Sequence, residues 1–311
     1  MQLSSPRAER ADLAACAERL RQGSKSFHAA SRLLPPRLRP EVTALYAFCR
    51  VADDAVDEAD EPARGVEAVR ALLDRAYSGC PADDAVERAF TRLVEARRLP
   101  RALPEALVEG FVWDATGREY ETLSDVLEYA ARVAASVGAL MTLLMGPRDA
   151  STLARACDLG LAMQLTNIAR DVGTDARIGR IYLPGAWRRE AGVPEGSLGL
   201  TPRHSTPLAT VVARLLDEAD RLYARAEAGV AGLPVDCRPA IRAAGLIYAD
   251  IGRVVRRQAC NPVDRRARTS LGRKLWLLWR ARRELEPNPG VAALPPAPEV
   301  AFLIDAVLGA P

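Results

Sequence analysis

The chain has 311 residues, 49% apolar and 27% charged, enough to bury a sizeable core as one large domain or two ordinary ones. A formal charge of +3 is too small to argue for a nucleic-acid partner. Cys16, Cys49, Cys80, Cys157, Cys237 and Cys260 form no C-x-x-C and no paired spacing, which fits a reduced, cytoplasmic compartment.

Helical periodicity dominates and no strand-like alternation is present. It predicts helices over 8–21, 24–32, 40–59, 65–77, 83–97, 104–115, 124–144, 150–176, 207–230, 238–258 and 270–283, broken at LLPPRLRP, YSGCP and MGPRDAS. YLPGAWRREAGVPEGSLGLTPRHSTP reads as the one long loop. No linker divides the chain, so residues 1–285 read as one all-α domain. Residues 286–311 form a Pro/Ala-rich tail, expected to be a surface strap or loosely ordered, with a short terminal helix. The N-terminus lacks the apolar stretch of a signal peptide. The longest uncharged run, Val133 to Gly146, is too short to span a bilayer and fits a buried core helix.

The chemistry begins at Lys25, flanked by Ser24 and Ser26 at a helix start. That is either an anion site or an ordinary N-cap. Next, Tyr46, Arg50, Asp53 and Asp57 are spaced i, i+4, i+7, i+11 through apolar company, a stripe expected to line an internal cavity. EYAARVAASVGALMTLLMG is rich in small residues, for close helix packing or for a long slender ligand. Gly160, Gln164, Asn167, Asp171 and Asp175 then repeat the polar stripe, with Arg170 beside it.

A single D-x-x-x-D is weak evidence, because helix salt bridges produce many. Two such pairs, each with both carboxylates on one helix face and amide or guanidinium groups a turn away, predict a magnesium site acting on a diphosphate. Asp54 falls about 100° off its stripe, in a supporting role. His28 and His204 share no motif, and there is no G-x-x-x-x-G-K-[ST] phosphate loop. From Arg253 to Arg283 eleven Lys/Arg face one acid, Asp264, and helix 270–283 reads either as an anionic-membrane helix or as a core helix with a basic outer face.

SKSFHAASRLLPP, ALYAFCRVADDAVDE, LVEGFVWDATGREYETLSDV, RVAASVGAL and LGLAMQLTNIARDVGTDARIGRIYLP resemble, in order over about residues 20 to 280, the blocks of squalene and phytoene synthases. SFHAASR, FVWDATGR and GRKLW are most similar to the phytoene synthases of carotenoid-producing proteobacteria. The resemblance implies a class I isoprenoid-synthase fold, a helical bundle around a central cavity. It also implies a prenyl transferase joining two geranylgeranyl diphosphates head to head. On this reading Asp53, Asp57, Asn167, Asp171 and Asp175 hold Mg²⁺, for which Mn²⁺ could substitute, and no NADPH is expected. Ser24, Lys25, Ser26, Tyr46, Arg50, Gln164, Arg170, Tyr248 and Arg265 contact the diphosphates or the reacting centre, and either Tyr248 or released diphosphate serves as base.

The expected partners are a membrane surface, with the protein peripheral on the inner membrane, and a downstream phytoene desaturase. Squalene, hydroxysqualene or dehydrosqualene synthesis from farnesyl diphosphate is the alternative activity. A non-catalytic helical assembly factor is the alternative of another class. The sequence departs from the family at Thr174, where Glu is usual, at His28, and at Phe111 and Trp113, which are expected to reshape the pocket.

Overall fold

The computed structural model describes residues 6–23, 33–57, 59, 61–283 and 289–310. Thirteen helices and no strand lie among them: α1 (Pro6–Gly23), α2 (Arg39–Asp57), α3 (Pro62–Tyr77), α4 (Ala85–Arg97), α5 (Ala102–Ala115), α6 (Leu123–Met145), α7 (Ala150–Arg177), α8 (Gly185–Ala191), α9 (Thr206–Gly229), α10 (Arg238–Arg257), α11 (Leu271–Ala281), α12 (Pro289–Ala292) and α13 (Ala301–Leu308). The expected helix over 24–32 lies outside the described residues.

Helix starts follow local chemistry. Asp84 accepts from the amides of Val86 and Glu87, Thr122 and Asp125 form a reciprocal capping box, and Asp149 caps α7 through the Thr152 amide. The core has two parts. One joins α1 to α7 around the stacked rings of Phe48 and Phe90, with centroids 3.8 Å apart. The other joins α7, α8 and α9 around Tyr120, Tyr129, Tyr182 and Trp187.

Helices α6 and α7 form the seam between these parts, and glycine decides how closely they approach. A Cβ on Gly160 would meet the Ala134 carbonyl oxygen at 2.7 Å, and one on Gly138 would meet the Ala156 oxygen at 2.8 Å. At this seam α6 widens into one π-turn, Ala131–Ala135, a distortion frequent near functional sites. By length and composition α6 could cross a membrane, but Ala130, Ala131, Ala135, Leu140 and Leu144 are fully buried in the core.

Two expectations need correction. The long loop contains a helix, α8, because Tyr182, Leu183, Trp187 and Leu198 bury themselves in the second core. The tail is more than a strap, since Val300, Leu303, Ile304 and Val307 of the terminal segment belong to the first core. Upstream of them, Arg155 donates to the carbonyls of Val291 and Pro295, and Arg225 donates to Pro295.

Candidate active site

Helix α7 sorts its side chains by the 3.6-residue period. Leu161, Leu165, Ile168 and Val172 are buried, whereas Gln164, Asn167, Arg170, Asp171 and Asp175 form one half-buried stripe. Thr174 is exposed and off that stripe, as the spacing predicts. The stripe continues into an apolar cavity of about 300 Å³, walled by Val133, Val137 and Met141 of α6 and Leu159 and Met163 of α7. Its lining follows α7 from Asn167 back to Thr152, about 22 Å at 1.5 Å per residue. The small residues of α6 therefore do both things left open above: Gly138 and Ala134 permit close packing and also line the cavity. Phe111 and Trp113 do not line it; Trp113 is buried beneath the guanidinium groups of Arg118 and Arg132, at 3.6 and 4.1 Å from its ring centroid.

The two carboxylates of the α7 motif are held differently. Burial pushes Asp171 up, but hydrogen bonds from Arg170 and Arg266 outweigh it and keep the carboxyl below its usual range. Arg170 grips Asp171 with two bonds, one of 2.9 Å from Nε, and Arg266 Nε donates at 2.8 Å. Asp175 is pushed up to about 7, by burial first and then by the charge of Asp171, with Asp114 adding to it. Tyr248 is half-buried beside Arg170, and burial raises its hydroxyl. Asn167 donates weakly to Gln164, at 3.4 Å, while its own buried Oδ1 has no hydrogen-bond partner.

On α2, Arg50 forks to Asp53 at 3.0 Å and to Asp54. Arg50 is 42% exposed and Asp53 36%, so this stripe is open to solvent along its edge rather than enclosed. Tyr46 is half-buried on the same face. Ser24, Lys25, Ser26, His28 and the side chain of Asp57 lie outside the described residues. Arg265 is exposed, and the contact with Asp171 comes from its neighbour Arg266.

Arg266 reaches Asp171 because the loop after α10 crosses α7 at Gly173. A Cβ there would meet the Val263 Cα at 2.7 Å. Ala259 and Cys260 both turn through positive φ, and the Asn261 side chain accepts from the amides of Val263 and Asp264.

Sequence reasoning also missed Asp114, which accepts from Tyr129 at 2.8 Å and from Tyr182 at 2.6 Å. These two rings stack at 4.8 Å, Tyr120 leans on both, and Tyr182 shares a small pocket with Asp175 and Arg180. Tyr120, Tyr129 and Tyr182 sit in EYETLSDVLEYA and GRIYLP, but nothing in their spacing announces a cluster.

The donor set suits a hard cation: carboxylates at Asp53, Asp171 and Asp175, and the unpartnered Asn167 oxygen. Among the described residues no three His, Cys, Asp or Glu gather closely enough to hold a metal ion by themselves. Those residues therefore leave the rest of a coordination shell to water and phosphate oxygens.

Comparison with known proteins shows the family. Residues 20–274 match the squalene/phytoene synthase family. The chain is 56% identical to a phytoene synthase of Cereibacter sphaeroides, over 95% of this chain and 88% of that protein. It is 53% identical to one of Rhodobacter capsulatus, over 95% and 90%. Among solved structures it superposes on a dehydrosqualene synthase with a TM-score of 0.82, at 33% identity over 89% of this chain and 97% of the other. It superposes on a squalene synthase of Alicyclobacillus acidocaldarius with a TM-score of 0.77, at 26% identity over 83% and 98%.

Proposed function

The chain belongs to the squalene/phytoene synthase family, and from that premise we propose that it is a phytoene synthase. It condenses two geranylgeranyl diphosphates head to head, through prephytoene diphosphate, and releases diphosphate. The observation that carries this reading is the α7 stripe, where an unpartnered Asn167 oxygen and two aspartates stand at one end of a long apolar cavity.

Asp53, Asp57, Asn167, Asp171 and Asp175 would hold Mg²⁺, or Mn²⁺ in its place. The metal supplies Lewis acidity at the departing diphosphate. Arg50, Arg170 and Arg266, already aimed at the carboxylates, turn their free donors to phosphate oxygens, for which the guanidinium fork is suited. The cavity walls hold the prenyl tails extended and keep water from trapping cationic species. Tyr248, raised by burial, keeps its proton at neutral pH, so it serves as a hydrogen-bond donor beside Arg170, and released diphosphate is the better base. The product is a hydrocarbon, so its destination is a membrane, and a phytoene desaturase is the enzyme class that would take it over.

Incubation with geranylgeranyl or farnesyl diphosphate and Mg²⁺, with and without NADPH, tests this directly. Phytoene should form from the geranylgeranyl substrate alone, independently of NADPH. Exclusive formation of a shorter product from farnesyl diphosphate, the reaction class of the dehydrosqualene synthase it resembles, would overturn it.

A further inference from the structure

One layer of side chains separates the α6–α7 cavity from a second. That second cavity, also about 300 Å³, lies between α9, α10 and Arg280 of α11, and it shares Leu159, Ala226, Val230 and Ile241 with the first. Leu159 lies about 12 Å along α7 from Asn167, midway down the run that lines the first cavity. Ala226 and Val230 are small, and Leu159 faces α10 at a glycine. A Cβ on Gly245 would stand 3.3 Å from Leu159 Cδ1. With no side chain there to pin it, Leu159 is free to change rotamer.

The second cavity has a weakly fastened rim. Arg242 of α10 donates to Glu227 of α9 at 3.2 Å, across the gap between the two helices. Glu227 is exposed, so solvent competes for this bridge. Arg242 also donates to the carbonyls of Arg280 and Arg283, which brings α11 to the same rim. Ala224, Leu246 and Ala249 supply apolar lining. By contrast, the first cavity ends at Gln164 and Asn167, next to the carboxylates of Asp171 and Asp175. A hydrocarbon leaving that way would pass charged groups, whereas one crossing the shared wall would keep apolar contacts.

Length supplies the need for a second route. An isoprene unit of four main-chain bonds, each about 1.5 Å, advances about 5 Å when extended, so the eight units of phytoene span about 40 Å. That is nearly twice the stretch of α7 that lines the first cavity. We propose that the α9–α10 cavity is the exit site of the hydrocarbon product, entered when Leu159 changes rotamer and the Arg242–Glu227 bridge opens. This rests on the proposed reaction, because only an uncharged product needs a route away from the metal-binding residues.

Gly245→Val and Ala249→Phe each fill the second cavity from a position that does not line the first. The full chain is assayed in detergent with Mg²⁺ and whichever of geranylgeranyl and farnesyl diphosphate the parent turns over. With enzyme in excess, both variants should form product at the parent's single-turnover rate. With substrate in excess, each should give a burst of about one product per chain, then a steady rate at least about ten-fold below the parent's. Glu227→Gln, which weakens the bridge, should not slow either phase. Steady rates equal to the parent's in both filled variants, or single-turnover rates that fall as far as the steady ones, would overturn the exit site. A parent that uses farnesyl diphosphate alone would overturn the proposed substrate and leave the exit to be judged by the same burst. A parent inactive with both would overturn the reaction, and the exit with it.

Discussion

Asp171 and Asp175 lie one helical turn apart and are pushed in opposite directions, which makes the second motif a strained pair. Asp175 in the folded chain sits at about 7 against an ordinary 3.8, so between those values the folded protein holds a proton that the unfolded chain releases. The stability this group contributes is complete below the ordinary value and is lost as pH rises through 7. Asp175→Asn should therefore melt higher than the parent at pH 8 in chelator, by roughly 2–4 °C per kcal/mol recovered, with the gap narrowing as pH falls below about 7 and closing only near the ordinary 3.8. Its Mg²⁺-dependent turnover should fall by about a hundred-fold or more. A variant less stable than the parent at pH 8 would contradict this account of the pair. The neighbouring arginines make a second prediction. Arg266→Gln removes two bonds to Asp171 and should lower kcat/KM by about ten-fold or more, because hydrogen bonds between charged groups contribute roughly 1.5–3 kcal/mol. Arg265→Gln should change it by less than about three-fold, and comparable losses in both would reopen the register.

At the scale of elements, the α6–α7 seam links packing to function, since the glycines that bring the helices together also border the cavity. Gly160→Ala would place its methyl within 2.8 Å of three backbone atoms of Ala134 and Ala135, which cannot swing aside as a side chain could. It should cost about 1–3 kcal/mol in urea unfolding. Gly272→Ala on exposed α11, where a Cβ meets nothing within 4 Å, should be neutral or stabilising by up to about 1 kcal/mol. Equal effects of the two variants would mean that close approach at the seam does not decide the cost. The α7 stripe was legible because its polar positions repeat every three or four residues through apolar ones. The α8 helix was not, because seven residues flanked by Pro184 and Gly192 are too few to display a period, and burial of Trp187 stabilises them instead.

For the whole molecule, no three acidic, His or Cys side chains among the described residues gather to hold a metal, and α2 and α7 are joined through α6 rather than packed on one another. Magnesium and inorganic diphosphate together should therefore raise the melting temperature by several degrees, and either alone by much less, since only the combined ligand engages both sides. An equal rise with magnesium alone would show that the protein closes the shell unaided.

Local features of the chain determined the helices, their caps, the two i, i+4 aspartate pairs and the family, because each depends on residues within a turn or two of one another. Tertiary structure alone decided that Arg266 rather than Arg265 meets Asp171, since a loop 90 residues further along the chain must first cross Gly173. It likewise decided that Asp114 gathers Tyr129 and Tyr182, and that Asp175 rises while Asp171 falls. These depend on burial and on charges brought together from distant segments, which spacing along a helix does not encode. The outward turn of the α11 tryptophans belongs to the same class: the periodicity defined two faces, and packing chose which one faces out.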